Sequence, residues 1–92
     1  MADAALILRT RTAAHGGLVE MVVWQVPAPV PPSSHAFKCR LVFVRDGERV
    51  VGYDNERGKG DHRHLQGREL VYAFVDIETL VRDFLFDVER LA

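Results

Sequence analysis

Apolar positions in this chain come in short runs broken by glycine, proline or charge, and the period inside each run predicts its element. "ALILRTRT" from Ala5 and "LVEMVVWQV" from Leu18 to Val26 are rich in β-branched and aromatic residues and read as strands. Gly16-Gly17 between them is a hairpin turn signal. In "PAPVPP" four prolines fall within six residues. Proline lacks a ladder donor, so this stretch predicts a stiff loop. It is too short to link two domains.

"FKCRLVFVRDGERVVGYD" predicts a second hairpin. Asp46-Gly47 suits a two-residue type I′ turn, because both residue types tolerate positive φ. That turn sets Phe43 opposite Val50 and Leu41 opposite Gly52. One face, expected to be core, then carries Phe37, Cys39, Leu41, Phe43 and Val50. The other mixes Lys38, Arg40, Val42, Val44, Arg49, Val51 and Tyr53, which suits a ligand platform or a subunit contact. Beyond a long polar segment, "LVYAFV" from Leu70 to Val75 is a further short strand.

The period then changes. Ile77, Leu80, Val81, Phe84, Leu85, Val88 and Leu91 recur at i, i+3, i+4 spacing and make one helical stripe. Asp76 is a suitable N-cap, with Val75 and Leu80 placed for a hydrophobic staple. Phe86 falls off the stripe, toward a partner surface. The expected fold is α+β: four to five antiparallel strands with one C-terminal helix packed on one face, in a single domain over residues 1–92, without internal repeats.

Composition narrows the class. Ninety-two residues with a hydrophobic share of 48% make one domain with a modest core. A lone cysteine, Cys39, leaves no intramolecular disulfide and fits a reducing cytosol. No run approaches the roughly 20 apolar residues of a membrane helix. "MADAALILRTRT" lacks a basic stretch before its apolar run and a clear cleavage site, so it reads as mature, cytoplasmic protein. The net charge of −1 argues neither for nor against nucleic acid. Its distribution says more: Lys38–Arg68 holds eight Lys/Arg against five Asp/Glu, and Glu69–Ala92 two against six. A basic middle beside an acidic end presents a polar ligand surface, or is ordinary scatter.

The chemistry is concentrated in "GYDNERGKGDHRHLQGRE", Gly52 to Glu69. As a connection between strands, it stands where binding and catalytic residues usually sit. Gly58 and Gly60 flank Lys59 and could let backbone amides approach an anion, although the nucleotide-binding GK[ST] pattern is absent. His62 and His64 are the sharper signal. In an extended chain they point to one side, about 7 Å apart. Two imidazoles near neutral pKa can serve as general base and acid at a phosphodiester, with RNA supplying its own 2′-hydroxyl nucleophile. Lys59 and Arg63 would stabilise phosphoryl charge, Arg63 pointing away in a strict strand. Asp61 would orient a histidine, and Asp54 and Glu56 would stand behind it.

The catalytic candidates are therefore His62, His64, Lys59 and Asp61, and the nucleic-acid contacts Arg63, Arg57, Lys38, Arg40 and Tyr53. This chemistry needs no cofactor and no metal. Two alternatives stay open: Asp54, Glu56, Asp61, His62 and His64 as ligands of a water-activating divalent metal, or a solvated loop or dimer rim without catalysis. His35 stands near the site or is simply exposed, His15 is expected to be solvated, and Cys39 to be core. Trp24 is a stacking or packing residue.

The runs "EMVVWQVPAPVPPSSHAFKCRLVFV" and "VGYDNERGKGDHRH", the following "GRE" and Y-x-F, and the C-terminal helix together resemble the TumE family of small bacterial toxins. The likeness spans nearly the whole chain. It implies a cytosolic growth-inhibiting toxin neutralised by a co-encoded antitoxin similar to helix-turn-helix regulators. RNA cleavage comes from the histidine pair and not from the resemblance. A non-enzymatic module that binds nucleic acid or a protein partner is the other functional class, and the mixed sheet face with Phe86 admits a homodimer.

Overall fold

A computed structural model describes residues 3–92; Met1 and Ala2, within the stretch read as the start of the mature protein, lie outside the described residues. Six strands, β1 (Ala5–Ala14), β2 (Gly17–Gln25), β3 (Phe37–Arg45), β4 (Glu48–Glu56), β5 (Gly60–Leu65) and β6 (Arg68–Val71), precede one helix, α1 (Ile77–Leu91). The strands form an antiparallel meander in the order β1-β2-β3-β4-β5-β6. α1 lies across β3 and β4 on one face. The α+β expectation is met, with six strands instead of four to five. The difference lies in the polar segment, which folds into β5 and the start of β6 through two tight turns.

Turn chemistry accounts for the meander. Asp46 and Gly47 have φ of 54° and 74°, and Gln66 and Gly67 50° and 85°, the paired positive φ of a two-residue hairpin turn. The first hairpin turns one residue earlier than expected, at His15-Gly16, with φ of 53° and 73°. Gly17 belongs to β2, where a Cβ would stand 2.3 Å from the Val44 carbonyl oxygen. Its glycine answers to close packing rather than to the turn.

The β3–β4 register departs from the expected one. A bulge between Phe43 and Val44 sets Phe43 opposite Val51, Leu41 opposite Tyr53 and Val42 opposite Gly52. One extra residue on β4 exchanges its two faces. Val51 and Tyr53, expected opposite the core, are therefore core residues beside Cys39, Leu41 and Phe43. Val50 is only partly buried at its margin. α1 closes this core with Leu80, Phe84 and Val88, each worth about 1.5–3 kcal/mol of hydrophobic burial.

Asp76 caps α1 as expected, its Oδ1 accepting from the Thr79 amide at 2.7 Å. Val75 is 68% exposed, so the expected staple with Leu80 is not made. β6 stops at Val71, short of Val75, and Tyr72 and Phe74 turn onto the core instead. Asp87, buried on α1, ties helix to sheet by accepting from the Tyr53 hydroxyl and, at 3.2 Å, from Arg63 Nη1. Phe86 is 65% exposed on the outer side of the helix, where the stripe placed it.

The proline loop is fastened to the turn between β4 and β5. The Gly58 amide donates to the Pro31 carbonyl at 2.8 Å, and the Ser33 hydroxyl to Asp61 Oδ2 at 3.1 Å. His35 completes the clasp: its Nε2 meets Asp61 Oδ1 at 2.6 Å while its ring stacks on Phe74 with centroids 3.7 Å apart.

Candidate functional site

Strand pairing decides which polar side chains meet. Across β4, β5 and β6, Asp54 stands opposite His62 and then Val71, and Gly52 opposite His64 and then Glu69. Alternation puts Asp54, His62, His64 and Glu69 on the face away from α1. Tyr53, Arg63 and Leu70, paired in the next row, belong to the helix face. The i, i+2 spacing of the histidines has the consequence expected of it: their rings meet edge to face with centroids 5.1 Å apart.

The two imidazoles differ in environment. His62 is 3% exposed, enclosed by polar neighbours. Its Nδ1 lies 3.0 Å from the Gly60 carbonyl oxygen, which accepts the ring proton and leaves the Nε2 lone pair facing the other way. Nε2 then meets Asp54 Oδ1 at 2.5 Å and Glu69 Oε1 at 3.7 Å. The contact with Asp54 is off the hydrogen-bond line, and both buried atoms are without a hydrogen-bond partner among the described residues. His64 is half-buried. Burial, seconded by the Arg49 charge, holds its pKa below the ordinary histidine value, which keeps the ring neutral near pH 7.

Glu69 and Lys59 close the outer side. Lys59 Nζ donates to Glu69 Oε1 at 3.0 Å. The ion pair raises the pKa of Lys59 and lowers that of Glu69. Arg49 folds over Gly52, where a Cβ would stand 2.8 Å from Arg49 Cδ. Glycine at this position thus gives the guanidinium room beside His64. The same face continues over the sheet with the exposed Arg40 on β3 and the exposed Arg9 and Arg11 on β1, Arg9 lying 5.9 Å from the Trp24 ring centroid.

Several expected site residues are elsewhere. Asp61 is engaged by Ser33 and His35, away from the histidine pair. Arg63 donates to the Tyr53 hydroxyl at 3.0 Å and to Asp87, under the helix. Tyr53 is 1% exposed and offers no ring for a base to stack on. Its hydroxyl pKa is pushed well up by burial and by the Asp87 carboxylate. Lys38 directs its ammonium to the Asn55 carbonyl. Arg57 and Glu56 are exposed at the β4–β5 turn. The Gly58 and Lys59 amides do not form an anion cradle, since they donate to Pro31 and Glu56. Cys39 is buried, its thiol pushed up to about 12 by desolvation, the inert state expected of a core cysteine.

Asp54 touches His62 directly instead of standing behind it; Glu69 joins the site unforeseen, and Arg49, expected only as part of the mixed sheet face, stands beside His64. Cross-strand pairing was the signal that could have found them: once β5 turns back on β4, every residue facing His62 or His64 follows. Asp54, His62 and His64 each offer one ligand atom, all within 4.8 Å of one another.

Among the described residues no helix is long and apolar enough to cross a membrane. No curated protein and no solved structure matches the chain. A family model described as Toxin TumE does, over residues 2–92, the same extent over which the sequence motifs resemble that family. The chain belongs to the TumE family, and is thereby the toxin of a toxin–antitoxin pair with a cognate antitoxin as partner.

Proposed function

We propose that this toxin is an endoribonuclease whose reactive centre is the Asp54–His62–His64 cluster on the open face of the sheet. The observation that carries the reading is the meeting of two imidazoles and a carboxylate beside Lys59 and Arg49. Imidazoles at a phosphodiester support 2′-hydroxyl attack and departure of the 5′-oxygen, and arginine suits the phosphate that both steps pass through. The exposed Arg40, Arg9 and Arg11 extend a cationic track along which a single strand could lie.

The two histidines do not share the work equally. His62 is buried with both nitrogens turned to protein groups, so it is a positioning residue. His64 has the accessible ring, and would take the 2′-hydroxyl proton and return it to the departing 5′-oxygen. Lys59 and Arg49 supply charge from either side. Arg63, Tyr53 and Asp61 support the fold around the site.

The test is purified toxin incubated with total cellular RNA, wild type beside His64→Ala and Arg49→Ala. His64→Ala is expected to lower the cleavage rate about 100-fold or more and to relieve growth arrest, with an unchanged circular dichroism spectrum. Arg49→Ala is expected to weaken RNA binding more than turnover. Intact RNA with the wild-type protein, under conditions where it still arrests growth, would overturn the reading in favour of a toxin that acts by binding.

A further inference from the structure

We infer that the Asp54–His62–His64 cluster is a binding site for one divalent transition-metal ion of the zinc class. The proposal deepens the reading above by naming a cofactor of the same centre, and rests on that centre and not on RNA as substrate. With an ion bound, His64 is a ligand, and water on the ion would supply the proton transfer otherwise given to the free ring.

His62 is the member of the cluster whose tautomer the backbone fixes. Its Nδ1 faces the Gly60 carbonyl oxygen at 3.0 Å, and a carbonyl only accepts, so Nδ1 carries a proton. In the neutral ring the lone pair then sits on Nε2, 2.5 Å from Asp54 Oδ1. Two electron-rich acceptors held that close repel unless a cation stands with them. A hydrogen-bonded proton would require a near-linear approach, and neither atom has a hydrogen-bond partner among the described residues although both are buried. The His62 side chain is only 4% exposed, so water does not relieve the repulsion. A metal ion beside the two atoms does.

The surroundings fit that occupant. A ligating histidine commonly donates its other ring proton to a backbone carbonyl, which fixes the tautomer and strengthens the donor; Gly60 is placed for this. His64 brings a second imidazole edge-on to the first. Its ligand atom, with those of Asp54 and His62, lies within a 4.8 Å span. Donors around one tetrahedral ion at ~2.0–2.1 Å stand about 3.4 Å apart, so the 2.5 Å pair would open by about 0.9 Å and the 4.8 Å span would close by about 1.4 Å. Two nitrogens and one oxygen select a borderline ion such as Zn²⁺ over Mg²⁺ or Ca²⁺, which prefer all-oxygen shells. Three protein ligands leave a fourth position open, and Glu69 Oε1 stands 3.7 Å from His62 Nε2. Lys59 holds Glu69 back through an ion pair.

Toxin stripped with EDTA and exchanged into metal-free buffer is titrated with Zn²⁺ under native mass spectrometry, and with Co²⁺ under visible absorption. One ion per chain is expected, with Co²⁺ d–d bands and no thiolate charge-transfer band, because Cys39 is buried in the core on the opposite face of the sheet. Asp54→Asn and His64→Gln should each weaken Zn²⁺ binding at least tenfold. Both replacements keep size and polarity, and their folding is checked by circular dichroism in the metal-free state. Absence of a bound ion at micromolar Zn²⁺, or wild-type affinity in both variants, would overturn the proposal. A bound ion in a protein that leaves RNA intact would uphold the metal site and remove the ribonuclease reading. Cleavage undiminished in EDTA by a protein that takes up no Zn²⁺ would do the reverse.

Discussion

Asn55 shows how one side chain can finish a sheet. It is fully buried at the end of β4, one residue beyond the last β3–β4 pair, Arg40 with Asp54. Its Oδ1 accepts from the Cys39 amide at 2.9 Å and its Nδ2 donates to the Phe37 carbonyl at 2.7 Å. The amide side chain thereby imitates one more rung of ladder, satisfying backbone groups with no strand partner left. Asn55→Ala should cost about 2–4 kcal/mol, as two buried backbone groups lose their partners. Urea unfolding followed by circular dichroism measures it, and a cost under about 0.5 kcal/mol would show that water replaces both bonds. In the sequence Asn55 is indistinguishable from its polar neighbours Asp54 and Glu56. Burial alone separates the three roles.

At the scale of the element, α1 was legible because its information is local. The cap, the apolar stripe and the outward Phe86 all follow from residues within a few positions of one another. The Asp76 carboxyl is held below its ordinary pKa by the Thr79 backbone amide. Its depressed folded pKa means the cap stabilises fully above the unfolded value of 3.8 and loses its effect as pH falls through the lower folded value. The thermal midpoint of Asp76→Ala should therefore lie below that of the wild type at pH 7, and the gap should narrow as pH falls below 3.8. A gap independent of pH would assign the effect to helix propensity. β5 was harder to read. It carries polar residues on one face and Arg63 on the other, so the apolar alternation that marks a half-buried strand is missing.

At the scale of the whole molecule, the helix and sheet are joined by a polar cluster as well as by the core. Asp87 is 3% exposed and collects the Tyr53 hydroxyl, Arg63 and Arg90. Asp87→Ala should destabilise the fold by about 3 kcal/mol, the lower end for a broken buried pair, because Arg63 is a third exposed and partly rehydrates. Asp87→Asn, which keeps an acceptor for Tyr53, should cost less. Equal midpoints for the two variants in a denaturant titration would remove the hydroxyl from the account. Asp54, His62 and His64 lie on the other side of the sheet from this cluster, so both substitutions should leave the Zn²⁺ binding proposed for them unchanged.

Local chemistry along the chain is enough to specify the first hairpins, the capped C-terminal helix and the placing of His62 and His64 on one side of a strand. Each depends on turn chemistry or on a period of two or 3.6, and so on neighbours in the chain. Tertiary structure decided the rest. A one-residue bulge near Val50 exchanged the faces of β4, carrying Tyr53 into the core and Asp54 to His62. The tight turns on either side of β5 then brought Glu69 to the same place and left Arg63 and Asp61 behind the sheet. Side chains alternate across a strand, so a shift of one position reverses every neighbour, and only the folded register says which residues share a site.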